Sequence, residues 1–283
     1  MIDITNLRHL NQYTNFETFK YNDKVIVLYD DHRCILTALY EARKLGVIDQ
    51  DTSLITFDRH DDARPVHVNK EIIAQYSNVG INNVSRRDFM NFVEFDIREY
   101  DDDWVCVGME LGLINNIVNV GNIDGCNIAE SKDGIYVDNQ GKNHHGQLIN
   151  HLHEELSRVG GALGDIHRYE DSRIVRDILN YNIPGKTNGF SNVNTNFVLD
   201  FDLDCFTTEC HGWIFAWPEV VFNDLYGYGD TSAGYLMQDI IQRAKLITIC
   251  REPSYCGGIG ESNKILSYLD KYFFQGCLKT KAI

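Results

Sequence analysis

The segment Lys24-Val-Ile-Val-Leu-Tyr29 is a short, β-branched apolar run, and Ser53-Leu-Ile-Thr-Phe-Asp58 is a second one. Between them Ile35, Leu36 and Leu39 recur at helical spacing. A strand, a helix and a second strand in this order predict a β-α-β unit with parallel strands. Because both strands are continuously apolar, we expect a mainly parallel sheet that is covered on both faces.

The rest of the chain continues this alternation of strands and helices. Apolar runs over 196–202 and 245–250 predict two more strands, with a helix over 233–244 between them. Residues 124–146 contain glycines and mixed polar residues, which favours a loop or a small hairpin. Helical patterns also cover 85–94, 104–117, 146–159 and 173–179, and Ser262 is the predicted cap of a closing helix over 263–274.

Composition limits the class of protein. The chain has 283 residues, 43% of them hydrophobic, without a linker-like tract or internal repeat, so we predict one α/β domain over 1–283. Its 26 basic and 41 acidic residues give a net charge of −15, which disfavours nucleic acid and suits a cationic substrate. The apolar stretches are too short to span a bilayer and the first residues do not resemble a signal peptide, so we expect a cytoplasmic protein without a membrane partner. The sequence leaves an oligomer open.

Acidic residues follow all four apolar runs. Ligands of parallel α/β sheets bind beyond the carboxyl ends of the strands, so these positions are candidates for a functional site. In an extended segment residues two apart point to the same face, so the D-x-H-x-D spacing of 58–62 and the D-x-D-x-D spacing of 200–204 each aim three side chains into one cleft. The four motifs are Asp30-Asp31-His32, Asp58-Arg59-His60-Asp61-Asp62, Asp200-Phe201-Asp202-Leu203-Asp204 and Arg251-Glu252-Pro253.

The chemistry of these motifs points to metal ions. Carboxylates that converge at strand ends repel one another and raise each other's pKa unless cations neutralise them, and a pair of divalent ions would do so. A donor set of carboxylates with two histidines and no cysteine favours Mn²⁺ over a thiolate-type zinc site. The competing interpretation, solvated turn and capping residues, fits any single aspartate better than it fits two spaced motifs after separate strands.

In order and spacing, the motifs across about residues 24–253 resemble the arginase–deacetylase superfamily. Binuclear manganese arginases carry an Asp-His, a D-A-H-x-D and an S-F-D-x-D motif at successive strand ends. The resemblance implies an arginase-like three-layer αβα sandwich that binds two Mn²⁺ ions per chain. It also implies that Asp58 and Asp202 bridge the ions. The first ion would be held by His32, Asp58, Asp62 and Asp202, and the second by Asp58, His60, Asp202 and Asp204.

Two positions distinguish this chain within the resemblance. Asp200 stands where the family has a small polar residue, so Asp200 with Asp202 is an alternative ligand pair. Glu252 occupies the place of the arginase glutamate that holds the substrate guanidinium, and a carboxylate can accept two N–H bonds from that group. The alternative for Glu252 is a structural salt bridge to a neighbouring arginine.

The residues that bind free arginine in metabolic arginases are missing. The acidic motif continues as Ala63-Arg64-Pro65-Val66, without Asn or Thr donors for an amino-acid carboxylate. The catalytic histidine of their G-N-x-H-G loop is also missing, since Gly121-Asn-Ile-Asp-Gly125 has Asp124 at that place, lies too far downstream and is interpreted as a chance likeness. The chain is more similar to the peptide arginases of ribosomal-peptide modification. That resemblance implies hydrolysis of arginine in a precursor peptide to ornithine and urea, a reaction on the C–N bond of a linear amidine.

The resemblance also implies roles and leaves alternatives. Asp62 would orient the attacking water and Glu252 would bind the guanidinium, whereas the proton donor is unassigned, with His67 and His144-His145 as candidates. The tandem histidines also resemble the zinc deacetylases, which makes a mononuclear amide hydrolase the second enzyme hypothesis. Hydrolysis of a free guanidino amine, as in agmatinases, is a third. An inactive, metal-stabilised binding protein is the non-enzyme hypothesis.

Overall fold

The fold is an α/β sheet structure, and its computed structural model describes residues 4–13, 15–64, 70–97, 103–121, 135–149, 196–228 and 234–278. Among these residues the strands that join the large sheet are β1 (Glu17–Tyr21), β2 (Lys24–Tyr29), β3 (Ser53–Phe57), β4 (Ile117–Val120), β5 (Ile135–Val137), β6 (Asn143–Ile149), β7 (Phe197–Asp202) and β10 (Leu246–Cys250). A separate antiparallel hairpin is formed by β8 (Thr207–Cys210) and β9 (Trp213–Ala216).

The large sheet has eight strands in the order β1-β2-β10-β7-β3-β4-β6-β5. Its six inner strands pair in parallel, and β1 and β5 are antiparallel edge strands. The four strands predicted from the sequence are the neighbours β2, β10, β7 and β3. Their carboxyl ends therefore meet at one edge of the sheet, and this brings the four acidic motifs together.

Helices cover both faces of the sheet. They are α1 (Ile35–Lys44), α2 (Lys70–Val79), α3 (Arg86–Asn91), α4 (Trp104–Glu110), α5 (Glu219–Tyr226), α6 (Gly234–Arg243) and α7 (Ile259–Tyr272). One buried cluster joins the sheet to α5, α6 and α7, and a second joins its other face to α1, α3 and α4. The predicted α/β class with a mainly parallel sheet is confirmed, and this arrangement is consistent with a three-layer sandwich.

Several predicted element boundaries are wrong for identifiable reasons. The helix predicted over 104–117 ends at Glu110, because Gly112 adopts a positive φ and Ile117 begins β4. In the segment 146–159, residues up to Ile149 belong to β6, because pairing beside β4 overrides their helical pattern. The closing helix begins at Ile259, so Ser262 is not its cap.

The sequence predicts a loop or a small hairpin over 124–146, and in the described part, 135–146, β5 and β6 pair antiparallel as a hairpin. Residues 124–134, 150–159 and the helix predicted over 173–179 lie outside the described residues. Among the described residues, no helix is long and apolar enough to cross a membrane.

Candidate metal centre

The loop after β3 carries Asp58, His60 and Asp62, but it is not the extended segment that the alternation predicted. The strand ends at Phe57, and the chain then turns so that the His60 backbone N–H donates to Asp58 Oδ1 at 2.7 Å. Asp62 has a φ of 44°, a left-handed conformation that is uncommon for a residue other than glycine. The turn, rather than strand alternation, therefore brings these three side chains to one place.

The segment after β7 turns in a similar way. Asp202 is the last residue of the strand, and its Oδ1 accepts the backbone N–H of Asp204 at 3.1 Å. This bond caps the short 3₁₀ helix Leu203–Phe206 and sends Asp204 toward the loop after β3. There Asp204 Oδ1 accepts the N–H of Arg59 at 3.2 Å, so the two acidic motifs are joined directly.

The imidazole of His32 lies at the centre of the first group of acids. It is fully buried, and its Nδ1 lies 2.9 Å from Asp62 Oδ2, 3.0 Å from Asp202 Oδ2 and 3.4 Å from Asp58 Oδ2. A ring nitrogen carries at most one hydrogen, so it cannot satisfy three carboxylates. Asp58 Oδ2 is itself buried and makes no hydrogen bond. A cation bound among these atoms would balance the excess of carboxylate oxygens around the single ring nitrogen.

A second group surrounds His60. Its Nδ1 lies 2.9 Å from Asp204 Oδ2, and its side chain is about one-third exposed. Asp58 belongs to the groups around both histidines, as expected of a bridging ligand, whereas Asp202 is grouped with His32. Among the described residues, three sets of ligand atoms lie within 4.8 Å of one another: His32, Asp58 and Asp62; His32, Asp202 and Glu252; and Asp58, His60 and Asp204.

Burial and mutual repulsion shift the pKa values of these acids. Burial, followed by the charges of Asp62 and Asp202, raises the pKa of Asp58 well above its usual range. Burial and the charge of Asp204 raise the pKa of Asp202 to about 6. Burial, with Asp202 and Asp204, also raises the pKa of Glu252 strongly. Divalent cations would stabilise the ionised forms that burial disfavours.

Glu252 follows β10 and faces the same cluster. It is buried and has a φ of 34°, and its carbonyl accepts the N–H groups of Tyr255 and Cys256 at 3.0 and 3.1 Å. Arg251 pairs with Asp30 and Glu17 rather than with Glu252, so the neighbouring arginine does not explain the carboxylate as a salt-bridge partner. The Glu252 side chain is therefore held beside candidate metal ligands by its loop.

The opening of the cluster lies beside the same loop. The ring of Tyr255 is half exposed and stands edge-on to His60, with ring centroids 5.7 Å apart. Gly257 has a positive φ, and a Cβ there would collide with the carbonyl of Ile214. Glycine thus lets β9 approach the loop that carries Glu252.

Asp200 does not face the cluster. Its Oδ2 lies 2.9 Å from Nε2 of His32, on the opposite side of the ring from the three acids around Nδ1. It belongs to none of the three candidate ligand sets found among the described residues. The geometry therefore favours Asp202 with Asp204 over the alternative pair of Asp200 with Asp202.

Sequence reasoning missed Trp104. The indole N–H donates to Asp62 Oδ2 at 2.5 Å, and the ring lies 4.6 Å from that of His32. The backbone N–H of Val105 also donates to the Asp62 carbonyl, so the start of α4 holds Asp62 from two sides. The sequence offers only a tryptophan at a predicted helix start, which is more often a core residue.

Two of the candidate proton donors, His144 and His145, do not lie at this edge of the sheet. His144 is the second residue of β6 and lies at the opposite edge of the sheet, by the amino ends of the parallel strands. Its Nδ1 lies 2.6 Å from the Asn115 carbonyl, and its Nε2 lies 3.0 Å from Asp138 Oδ2. His145 adjoins it, and its backbone N–H donates to Asn116. His67 and Asp124 lie outside the described residues.

The donors that converge here are two imidazoles and five carboxylates, a hard to intermediate set without thiolates. Such a set fits Mn²⁺ and similar divalent ions. No protein-family model matches the chain, and no curated protein sequence matches it.

The first prediction concerns stability. Burial raises the pKa of Asp202 to about 6, and a hydrogen bond and charge from Asp204 outweigh burial to raise that of His60 to about 9. The folded chain thus binds these protons more readily than the unfolded chain, so the stability of the metal-free protein should fall as the pH rises from about 4 to about 9. Mn²⁺ should reverse this loss, with a larger gain in Tm near pH 8 than near pH 5.

Thermal melts with a chelator and with added Mn²⁺, at both pH values, measure the effect. If Mn²⁺ raises the Tm equally at the two pH values, or does not raise it near pH 8, the interpretation that buried, charged carboxylates hold the metal is contradicted.

A second prediction tests the bridging assignment. Asp58→Ala should lose both metals, because Asp58 is shared between the groups around His32 and His60, whereas Asp204→Ala should keep the metal at His32. The matched control is Asp270→Asn, a buried aspartate that accepts the Leu278 N–H far from the cluster. Metal content after dialysis decides the matter, and full occupancy in Asp58→Ala would remove Asp58 from the ligand set.

Proposed function

We propose that the protein is an arginase-like binuclear manganese hydrolase that cleaves the guanidinium of arginine in a precursor peptide, giving ornithine and urea. The observation that carries the proposal is the buried carboxylate Glu252, grouped within 4.8 Å of the candidate ligands His32 and Asp202. A site that only stored a metal or stabilised the fold would not need Glu252 as a further buried carboxylate. A planar, cationic substrate group would explain why a carboxylate is placed there.

The residues present fit two metal ions. His32, Asp58, Asp62, His60, Asp202 and Asp204 would hold two Mn²⁺ ions, which would supply a nucleophilic water at neutral pH and polarise the substrate.

Glu252 would bind and orient the substrate. Its carboxylate can accept two parallel N–H bonds from the guanidinium, and the positive charge of that group offsets the repulsion from Asp202 and Asp204 that raises the Glu252 pKa. Because Glu252 lies beside His32 and Asp202, a guanidinium held there is adjacent to the ligands. Holding the reacting groups in contact lowers the entropic part of the barrier.

Asp62 would orient the nucleophile. The indole N–H of Trp104 and the backbone N–H of Val105 fix its side chain and its carbonyl, so its carboxylate can accept a hydrogen from the attacking water in one direction. The leaving amine needs a proton. His144 and His145 lie at the opposite edge of the sheet from the metal cluster, so neither is placed to donate it.

A peptide substrate accounts for features that free arginine does not. Ala63 follows the acidic motif directly and is buried. Its side chain offers no donor to an amino-acid carboxylate, and its carbonyl accepts a hydrogen bond from the thiol of Cys106. The half-exposed Tyr255 at the opening and the net charge of −15 suit an extended, arginine-bearing chain. Contacts to the peptide would replace the missing contacts to an amino-acid carboxylate.

The zinc deacetylase hypothesis is less well supported. Its tandem histidines would have to flank the metal, whereas His144 bonds with Asp138 and Asn115 at the other edge of the sheet. It also assigns no role to His32, Asp62 or Asp204. The agmatinase-type hypothesis differs from the proposal in its substrate, a free guanidino amine. The inactive-scaffold hypothesis has no substrate.

A third prediction separates substrate binding from metal binding. Glu252→Gln should retain both metals but lose at least about 100-fold in turnover, because a neutral amide removes one of the charge-assisted bonds to the guanidinium. Glu219→Gln is the control, since Glu219 is paired with Lys271 on the surface.

Urea release and metal content are measured on both variants. Wild-type turnover in Glu252→Gln would remove Glu252 from substrate binding, and loss of one metal would make it a ligand instead.

A fourth prediction concerns the form of the substrate. Binding energy from the peptide chain can raise turnover as well as affinity, so arginine within a peptide should react far faster than free arginine or agmatine. Urea release is followed, together with a mass loss of about 42 Da per arginine from the departing CN₂H₂ unit. A preference for free arginine would make the protein a metabolic arginase with unusual carboxylate contacts, and a preference for agmatine would make it an agmatinase.

A further inference from the structure

Asp200 is a fully buried carboxylate in the middle of the sheet. It lies on β7, two residues before Asp202 and therefore on the same face. In the strand register its direct neighbours are Thr56 on β3 and Thr248 on β10. These three residues form a polar row that lies one layer below the metal cluster.

All of the hydrogen-bonding capacity of this carboxylate is used. Oδ1 accepts the hydroxyls of Thr248 at 2.6 Å and Tyr29 at 3.2 Å. Oδ2 accepts the hydroxyl of Thr56 at 2.9 Å and lies 2.9 Å from Nε2 of His32. An ionised carboxylate offers about four lone-pair sites, and four donors occupy them. Asp200 has no lone pair left for a metal ion.

The contact with His32 determines the state of the ring. A carboxylate can only accept, so Nε2 of His32 must carry the hydrogen that it donates to Asp200. In a neutral ring the lone pair is then on Nδ1, which faces Asp58, Asp62 and Asp202. The ring is thereby fixed in both tautomer and orientation for binding a cation.

We infer that Asp200 is a positioning residue for His32 and not a metal ligand: it fixes the ring and increases the basicity of Nδ1 toward the metal ion next to it. The inference rests on the metal centre of the proposed function but not on its substrate. A carboxylate behind a metal-bound histidine typically changes metal affinity by about 10–100-fold. Only the ion at His32 should depend on Asp200, because His32 is the one candidate metal ligand among the described hydrogen-bond partners of Asp200.

The test is a Mn²⁺ titration of metal-free protein by calorimetry, with thermal melts in chelator. Asp200→Asn keeps an acceptor for His32 and loses the charge, and it should weaken one of two sites about 10-fold, whereas Asp200→Ala should weaken the same site about 100-fold. The other site should keep its wild-type affinity.

The matched control is Asp138→Asn. Asp138 is a buried carboxylate that pairs with Nε2 of His144 at 3.0 Å, but it lies at the opposite edge of the sheet. This variant reproduces the loss of a carboxylate–histidine pair, so it should lower the metal-free Tm and leave both Mn²⁺ affinities unchanged. A merely structural role for Asp200 would give the same pattern as this control.

Further outcomes separate the hypotheses. Wild-type affinities in Asp200→Asn overturn the inference, and loss of both sites makes Asp200 a ligand. If that variant does not fold, Thr248→Val and Thr56→Val, which each remove one donor to Asp200, should weaken the same site a few-fold, and unchanged titrations in both overturn the inference. Wild-type protein that binds no Mn²⁺ overturns the metal centre as well. Failure to hydrolyse arginine leaves these titrations unaffected.

Discussion

Repulsion between buried carboxylates is the constraint on which the site depends. Asp58 and Asp202 are both buried against Nδ1 of His32, Glu252 is buried within 4.8 Å of His32 and Asp202, and burial raises the pKa of all three carboxylates. Like charges at this separation, away from water, cost several kcal/mol unless they are protonated or paired with cations. The buried ring of His32 relieves only part of this repulsion. A pair of divalent ions would remove the rest, and the ionised donors would then become ligands.

The parallel sheet makes this concentration of charge possible. Four neighbouring strands end at one edge, and each contributes its motif at the point where the chain leaves the sheet. Two of the carboxylates, Asp62 and Glu252, have positive φ values, a conformation that costs about 1–3 kcal/mol and is retained where the surroundings enforce it. At Asp62 the start of α4 holds both ends of the residue, since the Trp104 indole donates to its carboxylate and the Val105 N–H donates to its carbonyl. Below the edge, the polar row around Asp200 supports His32.

Much of this arrangement could be predicted from the sequence because it depends on local patterns. The continuous apolar runs identify β2, β3, β7 and β10, and the acidic motifs that follow them identify the residues that the structure brings together. The register that makes Thr56 and Thr248 the neighbours of Asp200 is a long-range property. The available signal was a polar residue one or two places before the end of each of the strands β3, β7 and β10. Trp104 and β6 depend on tertiary contacts, so their roles could not be predicted from their own segments.

The most direct test of the metal centre is anomalous diffraction from crystals grown with Mn²⁺. We expect two manganese peaks about 3.5–4 Å apart, with Asp58 between them, one beside Nδ1 of His32 and the other beside Nδ1 of His60. A single peak, a peak bonded to Asp200, or no peak at the carboxyl edge of the sheet would contradict it.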